Sequence, residues 1–283
     1  MPVFIAPKTS HNFKIVRADG TTYDMYEIGL LVNKLLLRSP APNHVREEAE
    51  GRNGFWDMGT TYGGRVIEAE LSMFPSDLPD YALLQNEIFF MFDSREPFYL
   101  IRDREPGKRW LVKVDSEYSM EELVLRGDFS LTFISPSPFC ESINTTEDLQ
   151  SFDVPNWQTG MGLSSEDGSK DYSFKSTSFK LYNPSNVIVD PLEHELGITV
   201  KAVAGTYFQI QNETTGDVFR YEGKLSAGDV LTLNRSEYEL NKANIIRSTN
   251  RELIRLAPGW NTFTVTGTSS IEEIKFLFRF YYL

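Results

Sequence analysis

The sequence predicts a mainly β protein with a single helix. Apolar and polar residues alternate along most of the chain, which is the pattern of strands with one buried face. Aromatic residues make up 13% of the sequence, and aromatic side chains favour strands. Only residues 78–93 repeat their apolar side chains at helical spacing. The length of 283 residues suggests two domains.

The first domain opens with short strands. Residues 13–17 and 21–27 flank an Asp-Gly dipeptide, which is typical of hairpin turns. Residues 28–37 form an apolar run that reads mostly as a strand, although a helix is an alternative. Residues 65–74 alternate strictly and predict a half-buried strand. Further strands are predicted at residues 97–102, 109–114 and 126–134.

A second hairpin is predicted between the apolar run and the half-buried strand. Residues 45–50 are polar and lead into a glycine-containing turn at 51–54, directly followed by Phe55, Trp56 and Met58. Aromatic residues next to a polar strand suggest an exposed arm that reaches a neighbouring subunit. The alternative is an ordinary hairpin that packs on its own domain.

The predicted helix has a clear start and an unusually wide apolar surface. Asp77 can cap it, and Pro79 is tolerated because it falls in the first turn. Phe89 and Phe90 lie beside the main apolar stripe, so they are candidates for subunit contact; a broadly buried helix is the alternative. The stripe itself consists of Tyr81, Leu84, Ile88, Met91 and Phe92.

The second domain is predicted as a β-sandwich because short strands follow one another with turn residues between them. We place the domains at 1–140 and 141–283, with a loose, polar leading segment at 141–176. Ala204-Gly205 is read as a turn. Strands are expected at about 177–182, 186–190, 197–203, 206–212, 217–223, 229–234, 237–246, 252–256, 261–266 and 272–282.

Composition narrows the classes of function. The net charge of −12 argues against a general nucleic-acid-binding surface, although DNA could pass through an acidic channel without binding it. Cys140 is the only cysteine, so we expect neither a disulfide framework nor a cysteine zinc site. We also expect no secretory signal and no membrane span, and therefore a protein that is made in a cytoplasm and stays in solution.

Patterns that could support catalysis are weak. Glu68 and Glu70 could act as paired carboxylates, but their alternation with apolar residues is typical of a solvated sheet face. His194 lies between two glutamates and lacks the second histidine of a zincin motif. The glycine-rich residues 59–64 lack the following Lys-Ser/Thr of a phosphate-binding loop. We therefore expect no catalytic, cofactor or metal site.

Aromatic residues in the second domain offer one further possibility. Flat rings with amide neighbours suit stacking on sugars, and Trp157, Tyr172 and Trp260 are of this kind. Trp260 precedes a predicted core strand, which favours packing. Trp157 and Trp260 remain candidate sugar-stacking residues.

The order of several segments resembles the distal tail proteins of siphophages, the long-tailed phages, that infect Gram-positive hosts. The resemblance spans nearly the whole chain. It is carried by Gly63-Gly64-Arg65-Val66-Ile67, by residues 96–103 and 129–139, and by residues 209–212, 225–231 and 256–263.

The resemblance implies a ring-forming β-sandwich or barrel-like domain with one helix, followed by a galectin-like or carbohydrate-binding-like β-sandwich. It further implies a non-enzymatic homo-hexamer at the tail tip of the virion, assembled in the host cytoplasm. This ring would join the tail tube protein to the tail-associated hub protein, could hold receptor-binding proteins, and would let DNA pass through a central channel.

One alternative function remains open from the sequence. A carbohydrate-binding module for host cell-wall polysaccharide would fit the second domain. The galectin-type His-x-Asn-x-Arg motif is absent from the sequence, however, and this departure weakens the expectation of sugar binding.

Overall fold

The computed structural model describes residues 7–51, 53–123, 126–148, 157–166 and 168–283. The chain forms two compact units, which divide after Cys140. The described part is mainly β with a single α-helix, so the predicted fold class is confirmed. Within the described residues, no helix combines the length and hydropathy needed to cross a lipid bilayer.

The N-terminal unit is a curved antiparallel sheet with one helix. Its strand order is β2-β1-β7-β8-β10-β6-β3, and within the described residues β4 and β5 pair with each other in a separate two-stranded sheet. The elements are β1 (Phe13–Val16), β2 (Thr22–Asp24), β3 (Leu30–Leu37), β4 (Pro42–Glu47), β5 (Trp56–Tyr62), β6 (Arg65–Met73), α1 (Leu78–Met91), β7 (Phe98–Arg102), β8 (Lys108–Val114), β9 (Glu121–Leu123) and β10 (Arg126–Ser135). The next strand, β11, is Cys140–Ser142.

Alternation places the core of this unit on one face of the sheet. Phe133 of β10 is fully buried and pairs with buried Ile67 of β6. Its ring also lies 6.0 Å from that of Phe13 and 6.2 Å from that of Phe98. Because β1 and β7 are not neighbours of β10 in the strand order, these contacts require the sheet to curl around one core.

The helix begins as its sequence predicts. The Asp77 side chain accepts a hydrogen bond from the backbone N–H of Asp80 at 2.8 Å, which satisfies a free donor of the first turn. The carboxylate of Asp80 accepts one from the backbone N–H of Ser76 at 2.7 Å. The buried residues within the helix are Tyr81, Ile88 and Met91, and Phe92 directly after it is also buried.

The C-terminal unit is built on two long strands. Its elements are β12 (Ser173–Phe174), β13 (Ser178–Asn183), β14 (Leu196–Asn212), β15 (Asp217–Tyr221), β16 (Leu231–Asn234), β17 (Glu237–Leu240), β18 (Ala243–Asn244), a 3₁₀ helix (Ile246–Ser248), β19 (Gly259–Phe278) and β20 (Tyr281–Tyr282).

Several of the predicted strands differ from the structure here. β14 is one strand of 17 residues where two were predicted, and β19 is one strand of 20 residues. The predicted strands at 186–190 and 252–256 form only a single bridge, between Val189 and Leu256. The residues Ala204-Gly205 do not end β14, because the pairing with β19 continues through register shifts at this point.

These register shifts mark a bend that folds the hairpin onto itself. Phe263 and Phe276 belong to the same strand, and a straight strand would hold them about 43 Å apart. Their ring centroids lie 5.1 Å apart instead. The two halves of β19 therefore face each other across the core, as in a β-sandwich. Phe174 and Phe179 join the same aromatic cluster, with centroids 4.1 Å apart.

The described part of the leading segment is anchored to this unit. Trp157, Met161 and Tyr172 are buried, and the Tyr172 ring packs edge-on against Phe278 at 5.5 Å. The segment that was predicted to be loose, 141–176, also includes residues 149–156, which lie outside the described part of the chain.

We predict that Gly267→Ala destabilises the C-terminal unit by at least about 2 kcal/mol. Gly267 has φ +79°, and a Cβ there would lie 2.4 Å from the backbone oxygen of Tyr207. Gly205→Ala, in the same bend, is the control, because no atom lies within 4 Å of its Cβ position. Chemical denaturation measures both variants; equal stability of the two would contradict the role of Gly267.

Candidate assembly surfaces

One apolar surface lies on the helix. Leu83 and Phe90 are two helical turns apart, so they share a face, and Phe89 lies beside them. Leu83 is 64% exposed, Phe89 42% and Phe90 72%. We call these three residues the helix patch. The sequence suggested Phe89 and Phe90 but missed Leu83, although its spacing from Phe90 could have identified it.

The two phenylalanines of the helix patch differ in their surroundings. The Phe89 ring packs against Tyr118, with centroids 5.5 Å apart, and Tyr118 stacks in turn on Phe129 of the core. Burial raises the pKa of Tyr118 to about 12, so this phenol stays neutral. Phe89 is thus partly covered by its own subunit, whereas the side chain of Phe90 is more exposed.

The hairpin of β4 and β5 carries the second apolar surface, and we call it the hairpin arm. All residues of both strands are exposed, including the apolar side chains of Val45, Trp56 and Met58. Phe55 is also exposed, and the Arg46 guanidinium lies 4.5 Å from the centre of its ring. An isolated two-stranded hairpin is only marginally stable in water, so contact with another protein surface would stabilise this arm.

Charge pairs cover the outward face of β6. Glu68 forms a salt bridge of 2.6 Å with Arg38, and Glu70 forms one of 3.2 Å with Lys34 of β3. The two carboxylates are thus engaged by cations of the neighbouring chain segment. Their arrangement is that of a solvated sheet face.

The two candidate sugar-stacking tryptophans take part in packing. Trp157 is 2% exposed and lies 5.5 Å from Phe280, so burial leaves it no open ring face for a sugar. The indole N–H of Trp260 donates to a carboxylate oxygen of Glu166 at 2.9 Å. The Trp260 ring also contacts Tyr182 edge-on at 5.1 Å. Stacking on sugars remains a prediction for Trp260.

The buried His194 and Cys140 are held in unreactive forms. Burial lowers the pKa of His194 to about 4, and its Nδ1 accepts a hydrogen bond from the backbone N–H of Asp190. Burial raises the pKa of the Cys140 thiol to about 11, despite nearby cations. No group of three or more potential metal ligands occurs among the described residues.

Comparison with known proteins finds a family model that matches most of the N-terminal unit. Residues 18–135 match the family model of the phage tail protein RIFT-related domain. A search of curated protein sequences finds no match to this chain.

Solved structures of phage components share the fold. The Dit (gp 19.1) protein of SPP1, described as a paradigm of the hub adsorption apparatus in phages that infect Gram-positive bacteria, is 12% identical with a TM-score of 0.69. The match covers 96% of this chain and 99% of that chain.

Two structures of the phage p2 baseplate in its activated conformation, with Sr and with Ca, are also 12% identical, with TM-scores of 0.43 and 0.45. They cover 95% of this chain and 97% and 98% of theirs. The predicted resemblance is confirmed: residues 18–135 match the model of the phage tail protein RIFT-related domain, and the chain shares its fold with the Dit protein of SPP1.

Proposed function

We propose that this protein is a structural ring component of a phage tail tip, a homo-hexamer that joins the tail tube to the tail-associated hub protein. The observation that supports this most directly is the pair of uncovered apolar surfaces on the unit that matches the phage tail family. Large exposed apolar patches are costly unless a partner covers them. The fold shared with a hub adsorption protein is consistent with this role.

Two different surfaces on one subunit suit a closed ring. A cyclic assembly with more than two members needs head-to-tail contacts, in which one surface of each copy binds a different surface of the next. The hairpin arm of one copy and the helix patch of its neighbour would form such a contact. Burial of each large apolar side chain would contribute about 1.5–3 kcal/mol.

The charge of the protein fits passage of DNA. A net charge of −12 per copy gives a ring that repels phosphate groups, so DNA could move through a central channel without binding. The C-terminal units would hold receptor-binding proteins. The function is assembly without chemical turnover, and the ring would form in the host cytoplasm before it joins the virion.

Imaging of the purified chain tests this function. We expect rings with six-fold symmetry in negative-stain micrographs and a hexamer mass by native mass spectrometry. A chain that stays a monomer at high concentration, both alone and with its tail tube and hub proteins, would contradict the proposal.

We predict that Phe90→Asp weakens ring assembly by at least about tenfold in dissociation constant and leaves the monomer folded. A carboxylate in an apolar contact costs more than the roughly 1.4 kcal/mol that a tenfold change requires. Phe90→Leu keeps the apolar surface and serves as the control. Sedimentation measures assembly, and thermal unfolding of the monomer measures stability. Rings of normal stability in Phe90→Asp would show that the helix patch does not contribute to the ring contact.

Phe89→Asp should weaken ring assembly too. It should also lower the stability of the monomer, because the Phe89 ring packs against Tyr118.

We predict that the double change Phe55→Ser and Trp56→Ser also weakens assembly, because it removes apolar surface from the hairpin arm. Thr61→Ser, an exposed change on the same strand that removes little apolar surface, is the control. The melting temperature of the rest of the monomer should stay the same. If sedimentation shows full assembly of the double variant, the arm does not contribute to the ring contact.

A further inference from the structure

The turn of the hairpin arm carries a chemically reactive dipeptide. β4 ends at Glu47 and β5 begins at Trp56, and Asn53-Gly54 lies in the turn between them. The chain contains 19 glycines, but this is the only place where an asparagine precedes one. The backbone nitrogen of the following residue can attack an asparagine side chain, which makes asparagine a labile residue. Glycine hinders this attack least, because it has no side chain and the widest range of backbone angles.

The turn leaves both reacting groups accessible. Asn53 is exposed, and its side-chain amide forms no hydrogen bond with any described residue. The backbone N–H of Gly54 likewise donates to none of them. Gly54 has φ +83°, and apart from its chain neighbours no atom lies within 4 Å of the position of a Cβ. A ring that joins these two residues therefore meets no steric obstacle on that side.

Other exposed asparagines of the chain lack this combination. Asn43 of β4 precedes His44, within the paired part of the arm. The amide of Asn241 donates to Asp229 at 2.8 Å, and its oxygen accepts from the backbone N–H of Val230 at 2.9 Å. Exposure alone does not distinguish Asn53, but the following glycine and the absence of such bonds do.

We propose that Asn53 is a site of spontaneous deamidation through a succinimide. The Gly54 nitrogen loses its proton to hydroxide and forms a bond to the side-chain carbonyl carbon of Asn53. The bond from that carbon to the amide nitrogen breaks, and ammonia leaves. Water then opens the cyclic imide at either carbonyl, which gives aspartate or isoaspartate. The net change replaces an NH₂ group with OH and consumes one water molecule, without an oxidant or a reductant.

This modification changes the hairpin arm. Both products place a carboxylate directly before Phe55 and Trp56, two exposed aromatic residues of the arm. In isoaspartate the main chain also gains one carbon atom, which alters the geometry of the turn. The facing surface in the ring is helix α1, whose charged residues, Asp80 and Glu87, are both acidic. The new carboxylate is repelled there, and this effect rests on the proposed function above.

The first experiment incubates the full chain in heavy-oxygen water at mildly alkaline pH. Peptide mass spectrometry with electron-transfer fragmentation locates the incorporated oxygen and separates isoaspartate from aspartate. We expect incorporation at Asn53 to be at least about tenfold faster than at Asn43, the matched control on the same arm. The rate should rise with pH, because the attacking nitrogen must lose its proton. Asn53→Gln should react far more slowly, because its longer side chain has to close a larger ring.

Two results would overturn the proposal. One is an equal rate of incorporation at Asn53 and Asn43. The other is the formation of aspartate alone, because direct hydrolysis of the side-chain amide cannot give isoaspartate, whereas opening of a succinimide gives both products.

A second experiment measures the effect on assembly by sedimentation. Asn53→Asp reproduces the charge of the deamidated chain, and Asn53→Gln keeps a neutral amide as the control. We expect Asn53→Asp to weaken ring assembly about two- to fivefold in dissociation constant, the range of one exposed charge interaction, and Asn53→Gln to leave it unchanged. Rings of equal stability from both variants would remove the effect on assembly and leave the modification intact. A chain that deamidates at Asn53 but never forms rings would refute the proposed function alone.

Discussion

Burial of one face of the strands β6, β10, β14 and β19 is the constraint on which both units depend. In β6 and β10 it places Ile67 and Phe133 in the core, while Glu68 and Glu70 point outward to Lys34 and Arg38. In β14 and β19 the same alternation buries Ile198 and Phe276 and leaves the opposite face to solvent. Because side chains alternate with a period of two, a core residue on these strands directs its neighbours in sequence toward the opposite face of the sheet.

The outward face of β6, the helix patch and the hairpin arm differ in the chemistry that they expose. The outward face of β6 is neutralised by salt bridges, which suits contact with water. The helix patch and the hairpin arm leave apolar groups uncovered, which suits contact with other protein surfaces.

Local patterns were sufficient to predict much of the N-terminal unit. Asp77, the tolerated Pro79 and the apolar stripe defined the helix, since capping and helical spacing involve neighbours in sequence. Strict alternation likewise defined β6. The resemblance to phage tail proteins depended on the order of short segments, and the family model matches residues 18–135, which include the segments at 63–67 and 96–103. The missed Leu83 shows that apolar residues on a helix do not reveal which of them the fold covers.

The sequence by itself determined the fold class, the helix with its cap, the acidic charge and the likeness to phage tail proteins, because these follow from local pattern, composition and segment order. Tertiary structure decided the bend of β14 and β19, where a Cβ at position 267 would meet the backbone oxygen of Tyr207, and the burial of Trp157 against Phe280. Each of these depends on residues that are far apart in the chain, and only packing brings such residues together.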